Sequence, residues 1–174
     1  MQTPLVNRVA TSPLLTLKLE ELAPRLANVP FDLADHLWQG LALREREFRA
    51  AVKAYDWSSL AGKRLCVFCS ADAIIPQWAY MLVGARAGAH AAEVFVGEPA
   101  EADAAAFARA AAALDVEPYR DQPVVVKGCT DGRTVGPQAY ATVAARLQGV
   151  ARSVMYGEPC STVPIYKRRR PAAS

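Results

Sequence analysis

Three cysteines in this sequence each follow a short apolar stretch and each precede a serine or threonine. They are Cys69, Cys129 and Cys160, and the stretches before them are 64–68, 123–128 and 153–159. If those stretches are parallel strands of one sheet, their carboxyl ends lie at the same edge, where open α/β sheets bind their ligands. The sequence therefore predicts that the three thiols meet at one site.

Three convergent thiolates have a restricted chemistry. They could hold zinc, with a carboxylate or water as the fourth ligand, or an iron–sulfur cluster. Ligands on separate strands favour a cluster, because structural zinc sites usually draw on closely spaced cysteine pairs. Asp72 and Glu158 lie near the cysteines in sequence and are candidate metal ligands, as is Asp131. Three small buried cysteines without any cofactor remain the alternative.

The other sulfur and imidazole groups indicate packing rather than chemistry. Cys66 and Cys69 have the Cys-x-x-Cys spacing, but residues three apart on a strand point to opposite faces, so we expect Cys66 to be buried in the core. His36 and His90 are expected at the surface or packed on a helix. A thiol near a helix N-terminus has a lowered pKa, which leaves a cysteine-dependent sulfur-transfer enzyme open as a second interpretation.

The elements that must position the cysteines alternate regularly from residue 64 onwards. Apolar stretches alternate with helical patterns, which is typical of βαβ units, and this predicts an α/β fold with a parallel sheet of about four strands and helices packed on it. An N-terminal strand and helices are expected to cover one edge of the sheet. No internal repeat is evident. The predicted strands are 15–19, 64–68, 93–96, 123–127 and 152–156, and the predicted helices are 33–40, 44–55, 74–87, 99–114 and 136–148.

Length and composition place limits on the class of protein. The chain has 174 residues, of which 52% are hydrophobic and 21% charged, so we expect a single α/β domain over residues 1–167. Four of the positive charges lie in Lys167–Arg170, so residues 168–174 are interpreted as a basic flexible tail and a nucleic-acid partner as unlikely. There is no membrane-spanning run and no signal peptide, which predicts a cytoplasmic protein with reduced thiols.

Several segments resemble a bacterial family known as domain-of-unknown-function family 2480. The similar segments are Phe31-Asp32, Gln39-Gly40-Leu41, Leu43-Arg44-Glu45, Asp56-Trp57, Asp72–Pro76, Trp78–Met81, Lys127-Gly128-Cys129 and Tyr156–Lys167. The resemblance covers the chain from about Asn7 to Lys167 and brings no established activity with it. It implies genes close to those of iron–sulfur cluster assembly, and so favours a cluster over zinc and over cofactor-free cysteines.

The sequence thus predicts a metal- or iron–sulfur-cluster-binding protein that uses Cys69, Cys129 and Cys160. Its expected role is that of an accessory factor for iron–sulfur assembly proteins. Two alternatives stay open at this point, the sulfur-transfer enzyme and a cofactor-free interaction module.

Overall fold

The fold was analysed in a computed structural model, which describes residues 14–127, 132–158 and 161–169. The chain divides into two compact units. The continuous unit is Arg25–Ala102, and the split unit combines Met1–Pro24 with Asp103–Ser174. The prediction of one domain over residues 1–167, followed by a flexible tail, stays a prediction.

Strands and helices alternate along the chain, as the sequence indicates. The strands are β1 (Leu15–Lys18), β2 (Asn28–Asp32), β3 (Leu37–Trp38), β4 (Ala42–Leu43), β5 (Arg64–Phe68), β6 (Glu93–Val96), β7 (Pro123–Lys127), β8 (Ser153–Glu158) and β9 (Ser161–Lys167). The α-helices are α1 (Glu45–Ala54), α2 (Gln77–Ala87), α3 (Pro99–Ala112) and α4 (Pro137–Leu147). Short 3₁₀ helices occupy Leu19–Glu21, Leu33–His36, Trp57–Leu60 and Glu117–Tyr119.

The described strands form two main sheets rather than one, and both are wholly or mostly parallel. In the split unit the strand order is β1-β7-β8-β9, and all neighbours are parallel except β8 and β9. In the continuous unit the order is β2-β5-β6, all parallel, beside a small β3–β4 hairpin. The α/β class is confirmed, but the four strands predicted for a single sheet are divided between two. The predicted N-terminal strand is β1, at one edge of the four-stranded sheet.

The two units repeat one architecture, which the sequence analysis missed. Each contains the order strand, helix, strand, helix, strand, and the strand registers correspond. Val67 pairs with Phe31 in the continuous unit, as Val126 pairs with Leu17 in the split unit. The second helices bury the same positions at a constant spacing of 60 residues, namely Ala79, Val83 and Ala87 in α2, and Ala139, Val143 and Leu147 in α4.

The units differ at the edge that follows the second helix. After β8 the chain returns as β9, which runs antiparallel along it. Gly157, near the end of β8, has φ +125°, and a Cβ there would lie 2.5 Å from the carbonyl oxygen of Ser161, so this position requires glycine. After β6 the chain enters α3 instead, and among the described strands β6 pairs with β5 alone.

A buried polar ladder crosses the first residues of the continuous unit's three strands. Arg64 is fully buried, and its guanidinium donates to the Glu93 carboxylate at 2.8 Å and to the Asn28 side-chain oxygen at 2.9 Å. These three residues are cross-strand neighbours in the parallel register. A charge this deeply buried is tolerated because Nε and Nη1 of the guanidinium have a partner on each neighbouring strand.

Arg64→Ala should therefore destabilise the protein strongly, because it leaves Glu93 and Asn28 without their shared donor. We expect the free energy of unfolding to fall by about 3 kcal/mol, as for other broken buried ion pairs. Urea denaturation measures it. Arg86→Ala, which removes an exposed arginine of α2, should change stability by less than about 0.5 kcal/mol. Equal losses in the two variants would show that the ladder does not stabilise the fold.

Candidate functional site

The predicted cysteine site does not form among the described residues. Cys69 directly follows β5 in the three-stranded sheet, whereas the strands before Cys129 and Cys160 are β7 and β8 of the four-stranded sheet. The described part of the chain contains no group of three or more His, Cys, Asp or Glu side chains able to hold a metal ion. The predicted function as a metal- or cluster-binding protein is therefore wrong.

The individual residues of that prediction are placed as follows. Cys69 is half-buried and its thiol donates to the carbonyl of Ala71 at 3.5 Å, while Asp72 is exposed in the same loop. Glu158 ends β8 in the other unit. Cys129 and Cys160 lie outside the described residues, so their assignment as ligands, and the nature of any cofactor, stays a prediction. Cys66 is fully buried, as expected.

A carboxylate organises the loop that carries Cys69. Asp32 ends β2 and accepts hydrogen bonds from the backbone N–H groups of Ala34 at 2.9 Å and Ser70 at 3.0 Å. Burial raises the pKa of the Asp32 carboxyl, but hydrogen bonds from the Ser70 hydroxyl and these N–H groups, with nearby His36, outweigh it and hold the pKa below its ordinary value. The His36 ring stacks on Phe31, with centroids 5.3 Å apart, which fits the expected packing role.

Two further carboxylates lie at the carboxyl end of the split unit's sheet. Glu20 follows β1 and Glu158 ends β8. One oxygen of each, Oε2 of Glu20 and Oε1 of Glu158, is buried without a hydrogen-bond partner among the described residues. Arg133 lies close by in the fold and uses its guanidinium to hold the backbone carbonyls of Glu20, Ala23 and Pro24 at 2.7–3.1 Å. This arginine therefore fixes the segment after β1.

An apolar groove beside α4 is a concave site of the split unit. Its volume is about 360 Å³. Residues of α4 that are spaced three, four and seven positions apart form one side of the groove. Residues of β7, β8 and β9 form its floor and the opposite wall. The lining residues are Val126, Pro137, Tyr140, Ala141, Ala144, Val154, Met155, Tyr156 and Ile165. None of them is charged. We refer to these residues as the α4 groove.

The groove results from the width of the sheet relative to its covering helix. The helix α4 buries Ala139, Val143 and Leu147, and so covers the middle of the sheet. Because β9 extends the sheet beyond β8, part of the sheet face next to it meets the small side chains of Ala141 and Ala144 from the helix. A void remains where larger side chains would have packed.

Two tyrosines contribute the polar groups of the groove. The rings of Tyr140 and Tyr156 meet edge to face, with centroids 5.7 Å apart. Tyr156 is 42% exposed and Ile165 is 54% exposed, so the groove is open to solvent along this side. The Met155 side chain contacts the neighbouring strand β9, where the Thr162 hydroxyl donates a hydrogen bond to the Met155 sulfur at 3.8 Å. The two phenol hydroxyls are the hydrogen-bonding side-chain groups of the lining.

A smaller hollow continues the groove toward the C-terminal end of α4. It measures about 250 Å³, shares Ala144 and Ile165 with the groove, and adds Ala145, Gln148 and Tyr166. The continuous unit has a different surface at the corresponding place. There Met81 occupies the position of Ala141 and is 73% exposed, and no described strand lies beyond β6.

This groove is not evident from the amino-acid sequence. The sequence carries little sign of the groove, because Ala141 and Ala144 are two of many alanines. Whether small residues leave a cavity depends on which of them face the edge of a sheet.

Comparison with protein families gives one match. The chain belongs to the DUF2480 family of proteins of unknown function. The family model covers residues 3–168, which includes every residue of the α4 groove and confirms the resemblance seen in the sequence. No curated protein and no solved structure matches the chain. Among the described residues of this family member, no helix combines the length and apolar character needed to cross a bilayer.

The lowered pKa of Asp32 predicts a pH-dependent contribution to stability. A carboxylate with a depressed folded-state pKa stabilises the fold above its unfolded pKa, about 3.9, and loses that contribution as the pH falls through the folded-state value. Asp32→Asn should therefore be less stable than the parent protein at pH 7, and the difference should shrink in acid. Melting temperatures across the acidic range test this. Asp35→Asn, which removes an exposed carboxylate nearby, is the matched control; a deficit for Asp32→Asn that stays constant across the acidic range would contradict the prediction.

Proposed function

We propose that this protein binds a small, neutral, apolar molecule in the α4 groove. The observation that carries the proposal is a groove of about 360 Å³ with no charged lining residue. Sites for small ligands are concave, largely apolar and contain few polar groups, and their volumes begin near this value. The size suits a compact ring system or a short branched chain rather than a long acyl chain.

The lining favours binding over catalysis. It contains no serine, cysteine, histidine, lysine or carboxylate that could act as a nucleophile or strong base. The edge-to-face pair of Tyr140 and Tyr156 offers ring surfaces for packing, and Tyr156 brings a hydroxyl group for a single polar substituent on the ligand. A charged ligand would lose its hydration without gaining an opposite charge, so it is disfavoured.

The surrounding structure supports a preformed site. The floor residues Val126 and Val154 are buried at 5% and 1% exposure, and they belong to the central strands β7 and β8. One wall is a regular helix, and the other is a strand held to β8 by an antiparallel ladder. Apolar ligands bind such sites with little cost in ordering the protein.

Ala144→Phe tests the proposal, because the new ring would occupy much of the groove. The probe is N-phenyl-1-naphthylamine, a neutral dye whose fluorescence increases in apolar surroundings. We expect the parent protein to bind it and Ala144→Phe to bind at least about tenfold more weakly, which corresponds to about 1.4 kcal/mol. Fluorescence titration measures the dissociation constants, and calorimetry should show the negative heat-capacity change of apolar burial.

Gln138→Phe is the matched control. It adds the same ring to the exposed side of the same helix, outside the groove, and should leave the affinity for the dye unchanged. Melting curves of both variants establish that they are folded. Absence of dye binding by the parent protein, or equal binding by the folded Ala144→Phe variant, would overturn the proposal.

A further inference from the structure

A second hollow of the split unit has the opposite character to the α4 groove. It lies where β7 and β8 begin and β9 ends, with a volume of about 770 Å³. Four of its six lining residues are cationic and none is acidic. They are Pro123, Arg152, Ser153, Lys167, Arg168 and Arg169. We call these residues the basic hollow.

One of the four cations, Arg168, forms structural contacts within the unit. The guanidinium of Arg168 donates to the Asp121 carboxylate and to the carbonyls of Gly149 and Val150, the latter two at 2.8 Å. Its backbone N–H also donates to the Arg152 carbonyl at 3.0 Å. Arg168 therefore attaches the chain after β9 to the start of β8. The attachment holds Lys167 and Arg169, its neighbours in sequence, at the hollow.

The other three cations have no such partners. The side chains of Arg152, Lys167 and Arg169 are exposed and form no hydrogen bond or ion pair within the described part of the chain. Three positive charges from two strand ends thus converge around one concave surface, and no described residue compensates them. Such an arrangement concentrates anions and speeds the approach of an acidic partner.

We infer that the basic hollow binds a carboxylate-rich segment of a partner protein. The cations come from two chain segments, with Arg152 before β8 and Lys167 and Arg169 at the end of β9, and an extended segment with several carboxylates could engage both. A nucleic-acid ligand is disfavoured because no aromatic side chain lines the hollow as a platform for bases. A compact phosphate ligand is disfavoured because the lining has no glycine-rich turn to present backbone N–H groups.

Fluorescein-labelled hexaglutamate, measured by fluorescence polarisation with the full chain, tests this inference. We expect binding to weaken as NaCl is raised from about 50 to about 300 mM, because exposed charges are screened. The triple variant Arg152→Gln, Lys167→Gln, Arg169→Gln should bind at least about tenfold more weakly at low salt. Arg168 is left unchanged so that the end of β9 stays attached.

A second triple variant separates local from overall charge. Arg46→Gln, Lys53→Gln and Arg86→Gln remove three exposed cations from the continuous unit, and so the same net charge, and should leave peptide binding unchanged. Equal weakening in the two triple variants would overturn the inference. So would displacement of the peptide by inorganic triphosphate or by single-stranded oligothymidylate at lower concentration than by unlabelled hexaglutamate. Because the dye and the peptide use different residues, either proposal can fail without the other.

Discussion

The antiparallel pairing of β9 with β8 is the interaction on which both candidate sites depend. Ile165 of β9 forms a wall of the α4 groove, and Lys167 at its end contributes to the basic hollow. The pairing extends from Glu158 and Ser161 at the turn to Ser153 and Lys167 at the far end, with an irregularity next to Val154. Without this strand, the split unit would reduce to the three-stranded plan of the continuous unit.

The repeated architecture separates what maintains the fold from what differs between the units. Both units bury matching helix positions against matching strands, so these residues account for packing. Each unit adds different features to this framework. The continuous unit has the Arg64 ladder and the Asp32 carboxylate, whereas the split unit has β9, the α4 groove and the basic hollow. Surface chemistry has therefore diverged on a shared framework, which is the usual relation between fold and function.

Local features could be predicted from the sequence, and non-local pairings could not. The helix predicted over 44–55 appears as Glu45–Ala54, because amphipathic periodicity is a local property. The prediction that β5 and β7 belong to one sheet was wrong. Buried parallel strands all have similar apolar sequences, and these do not specify which strands are neighbours. The prediction that Cys69 meets the other cysteines rested on that single sheet. Strand β9 was missed because Pro164 interrupts its pattern, although an edge strand tolerates proline.

The split unit also constrains the order in which strands can pair while the ribosome makes the chain. The first strand, β1, begins at Leu15, which pairs with Val124, so its partner is translated more than one hundred residues later. At roughly 5–20 residues per second this interval lasts on the order of 5–20 s. All strands of the continuous unit are translated between these two segments, so they are complete before β7 is available to β1. Until then the apolar residues of β1 lack their strand partner, and chaperones are suited to protect such a segment.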